Sequence, residues 1–201
     1  MAGKAAGTYS IWFCERSQNN KGWEAPQLLE GPQNQMEAVF YPSASSDGYL
    51  YFSATEGRDS ELYRCKVTGN TATSPEKLPF NNSQFRDLDP MVAPDGSFLV
   101  FSIQNRGATP GAALYISFRQ GDGWSEPQAL GPNVNGAGGA GQAGLSPDGT
   151  VLYFTSRAPV PPAPRTKRAN ARQLERELLS YENGLGNIYS VRINDLLPSQ
   201  L

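Results

Sequence analysis

Histidine is absent from all 201 residues. Its absence removes Ser-His-Asp and Cys-His catalysis, histidine-bearing zinc sites and the usual near-neutral general base. Cysteine is nearly absent, with only Cys14 and Cys65, which form no metal-type cluster. They occupy the same position of two successive sequence repeats, too far apart for the roughly 4.4–6.8 Å between Cα atoms that a disulfide needs. Both are expected to be reduced, half-buried strand residues. Charge of either sign is sparse: 17 basic against 19 acidic residues leave a net charge of -2. That balance gives no reason to expect nucleic acid or an acidic membrane surface as a partner. No apolar run is long enough to span a bilayer, and no signal-peptide pattern is present. Residues 1–8 read as a flexible leader and 198–201 as a tail, flanking one domain over 9–197.

What the chain has is repetition. Gly 21 and Pro 16 suit many turns and few long helices. SPDGTVLYFTS (Ser146–Ser156) places an Asp-Gly turn before an alternating apolar strand, a strong hairpin signal. APDGSFLVFSI (Ala93–Ile103) and SSDGYLYFSAT (Ser45–Thr55) repeat it. A second column, apolar then aromatic, aligns Ile11-Trp12, Leu62-Tyr63, Leu114-Tyr115 and Ile188-Tyr189. A third aligns GWEAPQLL (Gly22–Leu29), TATSPEKL (Thr71–Leu78) and GWSEPQAL (Gly123–Leu130). The turn aspartates lie 48 and 53 residues apart, and Pro26, Pro75 and Pro127 lie 49 and 52 apart. Two independent rulers of about 50 residues, with four strands each, point to a β-propeller of four-stranded antiparallel blades.

Named A to D from the inside out, the A strands are expected to begin near Tyr41, Asp89 and Gln142. The Trp-x-x-Pro segments form the outer D strands, where a missing N–H breaks no inner ladder bond. Trp23 and Trp124 are expected to pack at the rim. The order C-D, A-B-C-D, A-B-C-D, A-B-C amounts to about three and a quarter blades. Propellers close 4–8 blades into a ring, so the chain reads as part of a larger ring. A four-bladed ring with one poor blade, or two chains completing one ring, are the alternatives.

These motifs resemble the Pro-Asp-Gly repeats of TolB-like, WD40-like β-propellers. DPMVAPDGSFLVFS, LSPDGTVLYFTS with GNIYSVR, and GWSEPQAL carry the likeness, which spans most of residues 9 to 195. Ser46 replaces the turn proline in one copy, and Ala143 stands where Pro42 and Pro90 stand in the others. The resemblance implies a six- or seven-bladed ring, usually periplasmic or extracellular, that acts mostly as a binding module. It supplies no catalytic residues, metal or cofactor to carry over.

One stretch breaks the repetition. Between the third B strand and the next C strand an insertion runs over 157–186, first proline-rich, then with a short helix expected from about Ala169 to Tyr181. Ala171, Leu174, Leu178 and Tyr181 share one face of it. Arg165, Lys167, Arg168, Arg172 and Arg176 make the insertion basic. It reads either as a capping helix packed by its leucine face or as a docking element for an anionic or protein partner. The glycine string Asn135–Gly144 is followed by a strand, not a helix, so it is a loop and not a dinucleotide site.

At the D–A loops and first turns of the A strands, Gln35, Glu37, Arg86, Asp87, Asp89 and Gln142 are the candidate ligand-binding residues. Asp87 and Asp89 could form a carboxylate pair, as glycoside hydrolysis or Ca²⁺ binding requires. The turn residues Asp47, Asp95 and Asp148 are structural. The expectation is a non-catalytic module binding a protein or cell-envelope ligand through its loop face. The alternative is the propeller part of a larger enzyme, peptidase-gating or polysaccharide-active.

Overall fold

The computed structural model describes residues 9–19, 21–57, 59–81, 84–106, 111–136, 139–157, 168–180, 183 and 185–196. Within them the repeats become blades. The first unit is a two-stranded pair, β1 (Trp12–Phe13) with β2 (Gln27–Leu28). The second runs β3 (Ala38–Ala44), β4 (Tyr49–Glu56), β5 (Asp59–Thr68), then the short outer pieces β6 (Thr71–Ala72) and β7 (Glu76–Lys77). The third repeats this as β8 (Arg86–Val92), β9 (Phe98–Gln104), β10 (Ala112–Gln120), β11 (Gly123–Trp124) and β12 (Gln128–Ala129). The fourth holds β13 (Ala140–Leu145), β14 (Val151–Ser156) and β15 (Asn187–Arg192), with β15 at its edge. All ladders are antiparallel.

Each outer strand comes in two pieces because Pro75 and Pro127, lying between them, cannot donate to the ladder. The turn aspartates act as expected. Asp47 accepts from Ser45 Oγ, Asp95 from the Ser97 N–H and hydroxyl, and Asp148 from Ser146 Oγ and Thr150. Gly48, Gly96 and Gly149 follow at φ 83°, 75° and 71°, a region glycine enters without strain.

Period-2 alternation gives every blade two apolar faces, and three clusters fill the gaps between blades. Leu50, Phe52 and Cys65 pack with Ile11 and Leu29 of the first unit. Tyr51 and Leu62 meet Leu99, Phe101 and Tyr115. Val100, Leu114 and Ile116 meet Leu152 and Phe154. β8 lies against β3, and β13 against β8, so the A strands line the inner side.

An asparagine completes three of the outer edges. Asn135 Oδ1 accepts from the Leu114 N–H at 2.8 Å, and its amide donates to the Leu114 and Leu130 carbonyls. Asn34 does the same for Ile11 and Leu29, and Asn81 brackets Leu62. Among the described residues no asparagine does so for Ile188.

Four expectations change. β3, β8 and β13 begin up to three residues before Tyr41, Asp89 and Gln142, which sit inside the strands. Cys14 is exposed and lies just past β1, while Cys65 is buried; both thiols are free. Trp124 packs edge-on against Tyr51 at 5.8 Å, but Trp23 is exposed under the Arg16 guanidinium. The helix α1 (Ala171–Leu178) forms with an Asn170 capping box, yet every one of its residues is exposed. It therefore packs no leucine face on the propeller. Tyr181 of that expected face lies outside the described residues.

Candidate functional site

Every A strand carries a β-bulge at one repeat position. The β3–β4 register shifts between Phe40 and Ser43, β8–β9 between Leu88 and Met91, and β13–β14 between Gly141 and Gly144. Bulges insert a residue and re-aim the strand beside sites. The residue displaced is Tyr41, Asp89 or Gln142, at φ 52°, 56° and 52°. A left-handed backbone is unfavourable for such residues and persists only where neighbours over-determine it. Pro42 and Pro90 help by disfavouring the right-handed region for the residue before them. In the third blade the Asp89 N–H also donates to the buried Ser53 Oγ of the preceding blade at 3.1 Å.

The bulges converge. Tyr41, Asp89 and Gln142, with Pro42, Pro90, Met91 and Ala143, line one hollow of about 240 Å³ on the inner side. Asp89 and Gln142 also line a larger cleft of about 500 Å³ between the third and fourth blades. Ser102, Gln104, Thr155, Ser156, Arg157 and Asn187 supply its other polar side chains. Gly139 and Gly141 form part of its wall and place no side chain in it.

Asp89 is the electrostatic centre of the cleft. Burial pushes its carboxyl above the ordinary aspartate range, partly opposed by the Gln142 main-chain N–H. Its Oδ1 is buried without a hydrogen-bond partner, and so is the hydroxyl of Ser102. Ser102 occupies the repeat position of Ser53, whose hydroxyl is satisfied by a bulge N–H. Thr155 Oγ1 donates to the Gly141 carbonyl and lies 3.2 Å from Gln142 Oε1, which fixes that side chain. Buried polar atoms are nearly always paired, so two unpaired atoms in one cleft mark a place that accepts donors.

Of the residues singled out from sequence, Asp89 and Gln142 meet here. Asp87 is buried at 2% exposure and does not line the cleft, so it presents no carboxylate pair with Asp89 there. The Arg86 guanidinium donates to Ser60 Oγ at 3.2 Å, between the second and third blades. Glu37 accepts from the Gly57 N–H and ties two loops, while Gln35 is exposed at the end of a 3-10 turn. Arg168, Arg172 and Arg176 are exposed on and before α1, and Arg165 and Lys167 lie outside the described residues. Tyr41 and Ser102 went unread as site residues. Aligning the three A strands residue by residue would have exposed Tyr41, since it stands 48 positions before Asp89.

Thirteen solved chains match this architecture. One is a protein assigned as TolB from Agrobacterium tumefaciens, at a TM-score of 0.50 and 14% identity over 72% of this chain. The fold is TolB-like. The chain corresponds to 49% of that TolB structure. No protein-family model matches the sequence, and no curated protein matches it.

Proposed function

We propose that the protein is a non-catalytic binding module that engages a protein or cell-envelope ligand through the loop face of its propeller. The observation that carries this reading is the alignment of Tyr41, Asp89 and Gln142, three bulge residues held at positive φ around a shared hollow. Strain kept at the same point of successive blades is spent on presenting side chains. The unpartnered Asp89 and Ser102 atoms beside it await a ligand's donors. The TolB-like fold fits a module of the cell envelope. The competing reading is an enzyme's propeller domain; against its polysaccharide-active form stands Asp87, which does not line the cleft and so offers Asp89 no carboxylate partner there.

Helix α1 supports a second point of contact on the same partner. Arg172 and Arg176 lie one turn apart, opposite Leu174 and Leu178, and all four are in water. That arrangement suits an anionic protein surface. The test uses two variants of the full chain, one with residues 165–181 replaced by a Gly/Ser linker and one with Gln142→Ala. Both are compared with the parent for capture of a partner from the host's envelope fraction. Reduced binding of the same identified partner, confirmed with purified protein, supports the reading. Unchanged capture by both variants overturns it. Glycan or peptide hydrolysis that disappears with Asp87→Asn or Asp89→Asn establishes the enzyme reading instead.

A further inference from the structure

The cleft between the third and fourth blades has a counterpart one blade earlier, and the two differ at one telling position. Gly139 occupies the place of Arg86 in the shared register, three residues before the bulge. Arg86 extends from its strand to Ser60 of the preceding blade. Gly139 has no side chain, and a Cβ there would lie 2.8 Å from the carbonyl oxygen of Ala112, the residue equivalent to Ser60. Two residues on, Gly141 replaces the buried Leu88, and a Cβ there would stand 3.7 Å from Ser102 Oγ. At Gly139 the backbones of the two blades approach too closely for a side chain, so the third interface carries none where the second holds an arginine, and the cleft lies beside that point.

We infer that this cleft takes an arginine side chain from the partner, with its guanidinium donating to the free Asp89 carboxylate oxygen and to Ser102 Oγ. The inference rests on the binding reading above and names its ligand chemistry. A guanidinium offers five donors in a planar fork, enough to satisfy both buried orphan acceptors at once. Asp89 is the acidic residue that lines the cleft, and the fold sets an arginine side chain at the equivalent point of the preceding interface. Arg157, the cleft's other charged residue, is exposed at its rim, where water and salt weaken its repulsion of an incoming cation. Asp89 lies deeper, where a charge-assisted hydrogen bond counts for more.

The test titrates N-acetyl-arginine amide into the ¹⁵N-labelled full chain and follows the amides of Ser102, Gly139 and Gly141. The expected result is saturable shifts at these three. The uncharged isostere N-acetyl-citrulline amide is expected to bind at least tenfold more weakly. Asp89→Asn should lower arginine affinity by a similar factor, and Gly141→Leu should abolish it by filling the cleft. Thermal melting verifies that both variants fold. No saturable shift, or equal binding of citrulline amide, overturns the inference. If that happens while Asp89→Asn still loses the envelope partner, the arginine assignment falls and the binding reading stands.

Discussion

The main-chain N–H of Asp89 donates to the hydroxyl of Ser53 across a blade boundary, 3.1 Å away. The corresponding hydroxyl one blade later, on Ser102, has no partner. Two serines at the same repeat position thus differ in what they contribute. Ser53→Ala leaves a buried N–H unsatisfied and should lower stability by about 1–3 kcal/mol. Ser102→Ala removes an unpaired hydroxyl and should leave stability unchanged or slightly raised. Urea denaturation of the pair reads the difference directly.

Asn135 makes three hydrogen bonds that fasten the outer strand of the third blade. Asn135→Ala should cost about 2 kcal/mol, since one substitution orphans several main-chain groups. Amide exchange should rise first at Leu114, whose N–H donates to Asn135, and the second blade should keep its protection.

The carboxyl groups predict opposite pH slopes. Asp89 has a raised folded pKa, so the folded state holds its proton more tightly than the unfolded chain. Its contribution falls as pH rises from the ordinary aspartate value of 3.8 through the raised one. Asp89→Asn should therefore melt higher than the parent above that window and lose the advantage below it. Asp47 and Asp95 are held low chiefly by the hydroxyls of Ser45 and Ser97. Their stabilisation is present above 3.8 and disappears as pH falls through their lowered values.

The two thiols should separate in time. Cys65 is buried, and burial pushes its pKa up to about 11. Cys14 is exposed. One equivalent of a disulfide reagent should react promptly with the native protein at pH 8, and the second only in denaturant. Two fast equivalents would contradict the buried placement of Cys65.

Much of the scaffold was legible because its signals are local. The Asp-Gly turns, the alternating B strands and the proline that splits each outer strand all act through neighbouring residues. The site was legible only where chemistry and repeat position coincided, at Asp89 and Gln142. Tyr41 escaped because an aromatic residue in a strand resembles core, and the backbone sign that marks it has no sequence signature. The cleft escaped because Gly139 and Gly141 look like loop glycines until aligned with Arg86 and Leu88. Helix α1 shows a different gap. An amphipathic pattern reports that a face could be buried, and Leu174 and Leu178 remain in water because nothing in the described residues covers them.

Tyr51 and Leu62 of the second blade are fully buried at 0% exposure, whereas their counterparts Tyr153 and Ile188 in the fourth are 44% and 72% exposed. Among the described residues, the apolar contacts of the fourth blade lie on one face, toward Val100, Leu114 and Ile116 of the third. The cleft opens along that same seam, with Gly139, Gly141 and Gln142 as part of its wall. A ligand that binds only the closed seam raises the stability of both blades it touches. Seating the ligand would therefore act as a clasp between the third and fourth blades.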